Sequence, residues 1–200
     1  MEINKIIHNF ETRNINVVTL DTKEQLIDFL NKHIADGNSV ACGGSMTLKE
    51  LGVHDYLKGR SINFLDREKE GVDANLMMHE ALSSDVYLAS ANALTENGEI
   101  FNIDGNGNRV AAMIYGPKKV ILVVGENKFV SNLEEARAHV KSISAPMNGK
   151  RLKTNTPCDV TGSCADCRAP RRMCCSEVVI NYQRNKERMY IVVMKGTYGY

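Results

Sequence analysis

Five short apolar runs alternate with stretches of helical periodicity, and this alternation limits the folds open to the chain more than any other feature. Each run is mainly apolar, and 15–20 and 120–124 are rich in β-branched residues, which predicts strands buried on both faces. Apolar residues at helical spacing predict helices before, between and after the runs. The predicted strands are 15–20, 39–42, 62–65, 86–89 and 120–124.

The ends of the predicted helices carry recognisable signals. Asp21 followed by Glu24 is a capping-box pattern for a helix that stops at Asp36, and Asn132 is a typical N-cap. Strands separated by helices in this way form a mainly parallel sheet, so the sequence predicts an α/β protein with a three-layer α/β/α sandwich. The predicted helices cover 3–10, a segment ending near 34, a segment starting at 47, 76–82, 110–115 and 133–143.

The pattern changes after Pro146. Residues 148–173 have no apolar periodicity and hold three of the six cysteines, with Cys174 and Cys175 directly after them, which predicts a loop fixed by a bound metal. Two apolar runs follow, 178–182 and 189–194, and their short separation predicts a hairpin or a pair of edge strands. At 200 residues the chain is predicted to be one domain, 1–200, with a cysteine-rich segment at 148–175.

Composition excludes several classes of function. A formal net charge of +1 provides no large field for a polyanion such as nucleic acid. No apolar stretch approaches the roughly 18 residues of a membrane span, and residues 1–5 lack the apolar core of a signal peptide. We therefore expect a cytoplasmic protein, where thiols stay reduced and clustered cysteines are metal ligands rather than disulfides.

The cysteines follow the pattern Cys158-x5-Cys164-x2-Cys167-x6-Cys174, with Cys175 adjacent. A C-x-x-C turn brings two thiolates to one metal centre locally, and four thiolates suit either tetrahedral zinc or a [4Fe–4S] cluster. The spacing does not separate these two centres, and the alternative is a set of free thiols or disulfides. The segment thus predicts a metal site.

Two further features bear on this site. Arg168, Arg171 and Arg172 lie inside the segment and can offset the negative charge of four thiolates. Cys42 ends an apolar run far away in the sequence, which is typical of a buried, unreactive thiol.

A second candidate site lies in the polar loops. The stretch 43–47 joins a predicted strand to a helix that Thr47 and Glu50 would cap, and free N–H groups at such a start bind phosphate or carboxylate. A tight turn with a good cap is the alternative. The longest polar stretch, 92–109, is rich in Gly and Asn, as loops that surround a ligand often are.

Four charged residues near these loops are candidates for catalysis: Glu96, Asp104, Arg109 and Lys128. For any one of them a solvated surface charge is the favoured interpretation, because charged side chains are mostly exposed. Dinucleotide, calcium and P-loop motifs all fail, because Val110 replaces the third glycine, Arg109 the calcium-loop glycine, and no Walker lysine is present. The five histidines show no hydrolase or metalloprotease context.

Several stretches together resemble the LUD, or lactate-utilisation, domain family, and within it a cysteine-tailed subgroup. They are 43–52, 90–98, 102–110, 115–120, 124–128 and 156–174. The resemblance implies a Rossmann-like sandwich related to ribose-5-phosphate isomerase, glucosamine-6-phosphate deaminase and CoA-transferases. It also implies Cys174 as the fourth ligand, with Cys175 as a departure from the pattern that could substitute. No carboxylate stands at 107–110, where the isomerases' catalytic glutamate falls, so that mechanism is not expected.

The resemblance also implies that the 43–47 loop and Lys128 face a ligand pocket. The expected ligand is a small carboxylate or phosphate, and the predicted binding residues are Gly43, Gly44, Ser45, Thr47, Asn92, Asp104, Asn108 and Lys128.

The leading functional hypothesis is an iron–sulfur accessory or electron-transfer protein of lactate-type organic-acid oxidation. It would hold a [4Fe–4S] cluster and act with an iron–sulfur or oxidoreductase partner. The first alternative is a stand-alone enzyme on a phosphorylated or CoA-linked small molecule, with structural zinc on the cysteines. The second alternative is a ligand-binding protein without chemistry.

Overall fold

A computed structural model describes residues 3–200 and places ten strands in two sheets. In chain order they are β1 (Asn16–Leu20), β2 (Ser39–Cys42), β3 (Asn63–Leu65), β4 (Val86–Ala89), β5 (Ala93–Thr95), β6 (Ile100–Asp104), β7 (Lys119–Gly125), β8 (Phe129–Val130), β9 (Ser176–Ile180) and β10 (Met189–Met194). The larger sheet has the order β1-β10-β7-β4-β2-β3, and all its neighbouring strands are parallel. The predicted parallel sheet is confirmed.

Within residues 3–200, nine α-helices accompany the strands. They are α1 (Ile3–Thr12), α2 (Lys23–His33), α3 (Met46–Glu50), α4 (Val53–Lys58), α5 (Ala74–Glu80), α6 (Asn108–Ile114), α7 (Leu133–His139), α8 (Ala145–Leu152) and α9 (Pro157–Thr161). Short 3₁₀ turns cover Ala81–Ser83 and Glu126–Lys128, and a π-helical segment, Val140–Ser144, joins α7 to α8.

The central strand β7 shows why the sheet lies between two layers. Leu122 packs in a core with residues of α1 and α6, whereas its neighbour Ile121 packs in a second core with residues of α2, α3 and α4. Both side chains are fully buried. Since successive side chains of a strand point to opposite faces, both faces of the sheet are covered, and the predicted three-layer sandwich is confirmed.

The smaller sheet, with the order β8-β5-β6-β9, was not predicted. The stretch 92–109 is not one long loop, because β5 and β6 lie within it and pair antiparallel. The two last apolar runs do not form a hairpin or edge pair either. β9 pairs antiparallel with β6, whereas β10 inserts between β1 and β7 as a parallel strand.

Two predicted helix caps are wrong by one or two residues. Thr22, rather than Asp21, caps α2, in a capping box with Gln25 rather than Glu24. Ser45, rather than Thr47, caps α3, because the Ser45 hydroxyl accepts a hydrogen bond from Leu48 N–H at 3.2 Å. These polar residues are close neighbours in sequence, and only the backbone geometry decides which one caps.

The cysteine-rich segment is partly helical, contrary to the predicted loop. The end of α8 and all of α9 lie within it, and Gly162 ends α9 in the left-handed conformation. Residues 163–175 then form neither helix nor strand. Within residues 3–200, no helix combines the length and the apolar character needed to cross a membrane. Met1 and Glu2, on which the expectation about a signal peptide partly rests, lie outside the described residues.

Candidate functional site: two adjoining cavities

A cavity of about 480 Å³ opens where strands of the main sheet and strand β6 of the smaller sheet end, and we call it the sheet-edge cavity. Ser45 follows β2, Ser90 follows β4, Asp104 ends β6, and Lys128 lies just beyond β7. Open α/β sheets bind their ligands at the carboxyl ends of their strands, so this is the expected location for a site.

Most of the residues predicted for ligand binding line this cavity. They are Gly44, Ser45, Thr47, Asn92, Asp104, Asn108 and Lys128, together with the catalytic candidate Arg109. Gly43 does not line it but packs beneath, where an added Cβ would lie 3.0 Å from the Tyr87 hydroxyl. Glu96 also lies elsewhere, and its carbonyl oxygen accepts a hydrogen bond from the Asn9 side chain at 2.7 Å.

Arg109 organises one side of the cavity. A guanidinium has five N–H donors, and Arg109 makes five hydrogen bonds to protein oxygens. The acceptors are Asp104 Oδ2 at 3.3 Å, the Ser90 carbonyl at 2.9 Å, Asn102 Oδ1 at 3.0 Å, Asn92 Oδ1 at 2.9 Å and the Ile103 carbonyl at 2.7 Å. Since its donors are used, Arg109 positions the wall rather than offering a free contact to a ligand.

Both carboxylate oxygens of Asp104 also accept hydrogen bonds from protein groups. Its Oδ1 accepts a hydrogen bond from Gly107 N–H at 3.2 Å, and its Oδ2 accepts from Val110 N–H at 3.3 Å as well as from Arg109. The carboxylate therefore fixes the turn that opens α6. This geometry favours a structural role for both predicted catalytic residues of the β6–α6 connection.

Lys128 differs from them. Its side chain is only 1% exposed, and within residues 3–200 its ammonium group has no hydrogen-bond or ion-pair partner. Burial lowers the pKa of Lys128 to about 8, helped by the charge of Arg109 and opposed by Glu50. At neutral pH the group is therefore a buried cation that faces a cavity.

Several further cationic side chains line the same cavity and were not predicted from the sequence to do so. Arg67 lies between β3 and α5, Arg151 lies on α8, and Arg171 and Arg172 come from the cysteine segment. The sequence pointed to Arg171 and Arg172 only as counter-charges for thiolates. Arg67 and Arg151 follow no motif, so only the tertiary structure identifies them.

A second cavity, of about 330 Å³, is lined by all four predicted cysteine ligands, and we call it the cysteine cavity. Cys158 is buried on α9, whereas Cys164, Cys167 and Cys174 are half-buried in the loop that follows. The exposed Cys175 also lines it. Burial raises the pKa of the Cys174 thiol, and the other three cysteines act in the same direction, whereas Arg172 opposes them.

The donor set fits a thiolate-bound metal centre, although it is not arranged as one. In the described part of the chain no three Cys, His, Asp or Glu side chains already surround a point that a metal ion could take. Four thiols around one cavity are nevertheless the ligands that zinc and iron–sulfur clusters require. Binding would draw the sulfur atoms together, which the irregular backbone of 163–175 permits.

Arg172 stabilises this loop. Its Nε donates a hydrogen bond to the Cys174 carbonyl at 2.7 Å, and its Nη1 donates to the Cys167 carbonyl. The N–H of Asp166 points to Cys164 Sγ at 3.5 Å. Backbone groups held in this way orient the cysteines around their cavity. Cys42, as expected, is buried in the core, and burial raises its pKa.

The two cavities share a wall. Its residues are Ile103, Val140, Ala145, Arg172, Met173 and Cys174. The wall is tied to the sheet because Cys175 N–H donates a hydrogen bond to the Asp104 carbonyl at 2.9 Å. The π-helical segment begins at Val140, and such segments often occur at functional sites.

Comparisons with known proteins agree with this architecture. The family model described as "LUD domain" matches residues 3–194. A crystal structure of a DUF162 family protein from Deinococcus radiodurans is similar, with a TM-score of 0.53 and 16% sequence identity over 98% of this chain and 99% of that one. At that identity the likeness concerns the fold alone. No curated protein matches this chain significantly.

Proposed function

The chain belongs to the LUD-domain family, and from this membership and the two adjoining cavities we propose that it is an iron–sulfur-binding accessory or electron-transfer protein of lactate-type organic-acid oxidation. Family membership by itself suggests the coarser role in lactate utilisation. We further propose that it acts in the cytoplasm as one domain, beside a separate iron–sulfur or oxidoreductase protein.

The observation that carries the proposal is the shared wall. Cys174 lines both the cysteine cavity and the sheet-edge cavity, so a centre bound by the cysteines would lie next to a bound anion. A cluster remote from the ligand could only store or relay electrons. Adjacency permits the ligand and the centre to influence each other.

Each cavity has its own part in this proposal. Cys158, Cys164, Cys167 and Cys174 would hold a [4Fe–4S] cluster, which supplies one-electron redox chemistry when bound. In the sheet-edge cavity, Lys128 is the buried cation that would bind a carboxylate or phosphate. The fixed network of Arg109 and Asp104 would keep that cavity open and correctly shaped.

The test is anaerobic purification followed by a visible spectrum and measurement of iron, acid-labile sulfide and zinc. We expect a brown protein with about four irons per chain. Cys164→Ser and Cys167→Ser should lose most of the iron. The matched control is Cys42→Ala, which removes a cysteine that lines neither cavity and should keep the full iron content.

The opposite result would be a colourless protein with about one zinc per chain. It would overturn the electron-transfer proposal and favour the second candidate, a stand-alone enzyme on a phosphorylated or CoA-linked small molecule with a structural zinc. The observation that favours this candidate is Lys128, because a desolvated lysine beside another cation is a typical reactive group.

A further inference from the structure

The sheet-edge cavity carries more positive charge than its own carboxylate can neutralise. Six cationic side chains line it against a single acidic side chain, Asp104, which is already paired with Arg109. Like charges gathered in one cavity repel each other and cost folding free energy, and a bound anion removes that cost. The remaining cations are Arg67, Lys128, Arg151, Arg171 and Arg172.

Three of these cationic side chains have no hydrogen-bond or ion-pair partner in the described part of the chain. Within residues 3–200, the side-chain nitrogen atoms of Arg67, Lys128 and Arg171 make no hydrogen bond and no ion pair. They come from separate regions of the sequence, the β3–α5 connection, the end of β7 and the cysteine segment. Their convergence on one cavity is therefore a property of the fold and not of a local run of basic residues.

The other two cations are held mainly by neutral oxygen atoms. Arg151 donates to Asn148 Oδ1 at 2.7 Å and to the Tyr200 hydroxyl at 2.9 Å, which orients its guanidinium without neutralising it. Arg172 donates to cysteine carbonyls, and its nearest carboxylate, the exposed Asp166, is 3.6 Å away. Their positive charge remains largely available to a ligand.

Ser144 gives an independent indication of a ligand. Its side-chain oxygen is buried and has no hydrogen-bond partner in the described part of the chain, and the residue is 2% exposed and lines this cavity. Buried hydroxyl groups are normally hydrogen-bonded, so an unpaired one beside a cavity indicates that a bound molecule supplies the partner.

The volume of the cavity, like its positive charge, is larger than a single monocarboxylate requires. At about 480 Å³ it lies within the range of roughly 300–1,000 Å³ that is typical of sites for cofactor-sized molecules. Lactate would fill only a small part of this volume and carries one negative charge. One monocarboxylate can therefore neither fill the cavity nor neutralise it.

We propose that the sheet-edge cavity binds a small molecule with at least two separate anionic groups, phosphoryl or carboxylate, and that Arg171 of the cysteine segment contributes to binding it. The inference deepens the proposed function, since it rests on the same anion site. It does not require any particular metal on the cysteines.

The experiment is isothermal titration calorimetry at constant ionic strength on the protein as purified anaerobically. The probes are fructose 1,6-bisphosphate, tricarballylate and lactate, which represent separated phosphoryl groups, separated carboxylates and a single carboxylate. We expect at least one of the two multivalent anions to bind tenfold or more tightly than lactate. Whichever of them binds more tightly identifies the anionic group.

Two variants of the cysteine segment provide a matched comparison. Arg171→Ala should weaken binding of the preferred anion about tenfold to a hundredfold, as expected for one charge-assisted hydrogen bond. Arg168→Ala makes the same change in net charge at an exposed residue that lines neither cavity, and should weaken binding less than twofold.

Lactate binding as tightly as both multivalent anions would overturn the inference, and so would equal losses in Arg168→Ala and Arg171→Ala. Iron and zinc are measured on the same samples after titration. A zinc protein that binds a multivalent anion would contradict only the proposed electron-transfer function. A brown protein that prefers lactate would contradict only the inference drawn from the cavity.

Discussion

The sheet-edge cavity rests on the ends of strands, whereas the cysteine cavity is closed by residues 163–175, which form neither helix nor strand. In the first, Arg109 and Asp104 fix the wall through hydrogen bonds that exist without any ligand. In the second, the four cysteines line one cavity but are not arranged around a point. One site is thus preformed and the other is expected to be completed by what it binds.

The largest expected effect is that of replacing Arg109, which tests whether the wall of the sheet-edge cavity is preformed. Arg109→Met should lower the free energy of unfolding by about 3–5 kcal/mol, because it leaves the nearly buried Asp104 and several carbonyls without their donor. Urea denaturation measures the change. Arg168→Ala is the control and should alter stability by no more than about 0.5 kcal/mol. A cost below about 1 kcal/mol for Arg109→Met would show that the wall is not preformed.

Removal of the metal tests whether the cysteine cavity is completed by what it binds. At a free metal concentration of 100 times the Kd, binding suppresses local opening about a hundredfold, so a chelator should raise hydrogen exchange of the Gly162 and Arg172 amides by that factor. These amides donate to the carbonyls of Cys158 and Ala169. The amide of Ile121 in β7 is the control and should keep its protection. Equal changes at all three amides would mean that the metal stabilises the whole fold.

The difference between the two regions also explains what the sequence could predict. Runs such as 120–124 are apolar at every position because both faces of a central parallel strand are buried, and that pattern is visible without a structure. The order of strands is not visible. β10 lies between β1 and β7 although it comes last in the chain, because strand order depends on contacts distant in sequence.

The strand β6 shows why the second sheet was missed. Asn102 interrupts its apolar pattern, and an asparagine between glycine-rich stretches is typical of a loop. Asn102 is fully buried instead, because its side-chain oxygen accepts a hydrogen bond from Arg109. Asn102, which made the strand unrecognisable in the sequence, is therefore part of the hydrogen-bond network of Arg109.

For the site, local motifs identified residues near strand ends and clustered cysteines, and all of these residues except Gly43 and Glu96 line the two cavities. The contribution of Arg67 and Arg151 was not predictable, since no spacing connects them with Lys128. The predicted metal remains a prediction. What the structure adds is that Cys174 belongs to both cavities, which no linear pattern could indicate.

A smaller effect on stability tests whether the sheet-edge cavity is maintained for binding. Lys128→Met should raise the free energy of unfolding at pH 7 by about 1–3 kcal/mol, because the folded pKa of about 8 lies below the ordinary 10.5 and burial of the charge is unfavourable. The same variant should bind anions more weakly. Lys49→Met changes an exposed lysine and should alter neither quantity appreciably.

The sign of the pH dependence follows from the depressed pKa. Below about pH 8 both folded and unfolded states carry the proton, so the cost of burying the charge is fully present. Between about pH 8 and 10.5 the folded state releases the proton first, and this group makes the protein more stable as pH rises. The Lys128→Met variant should lack that rise. If both proteins show the same pH dependence, Lys128 is not buried as a cation in the folded state.

The smallest expected effect distinguishes two roles of Ser45, capping of α3 and contact with the bound anion. Ser45→Ala and Thr22→Ala each remove a side-chain acceptor at a helix start, and each should cost about 1 kcal/mol in urea denaturation. Only Ser45 lines the sheet-edge cavity. If its hydroxyl also binds the anion, Ser45→Ala should weaken calorimetric binding severalfold while Thr22→Ala leaves it unchanged. Equal affinities in the two variants would limit Ser45 to capping α3, and the anion would then be bound by the cationic side chains alone.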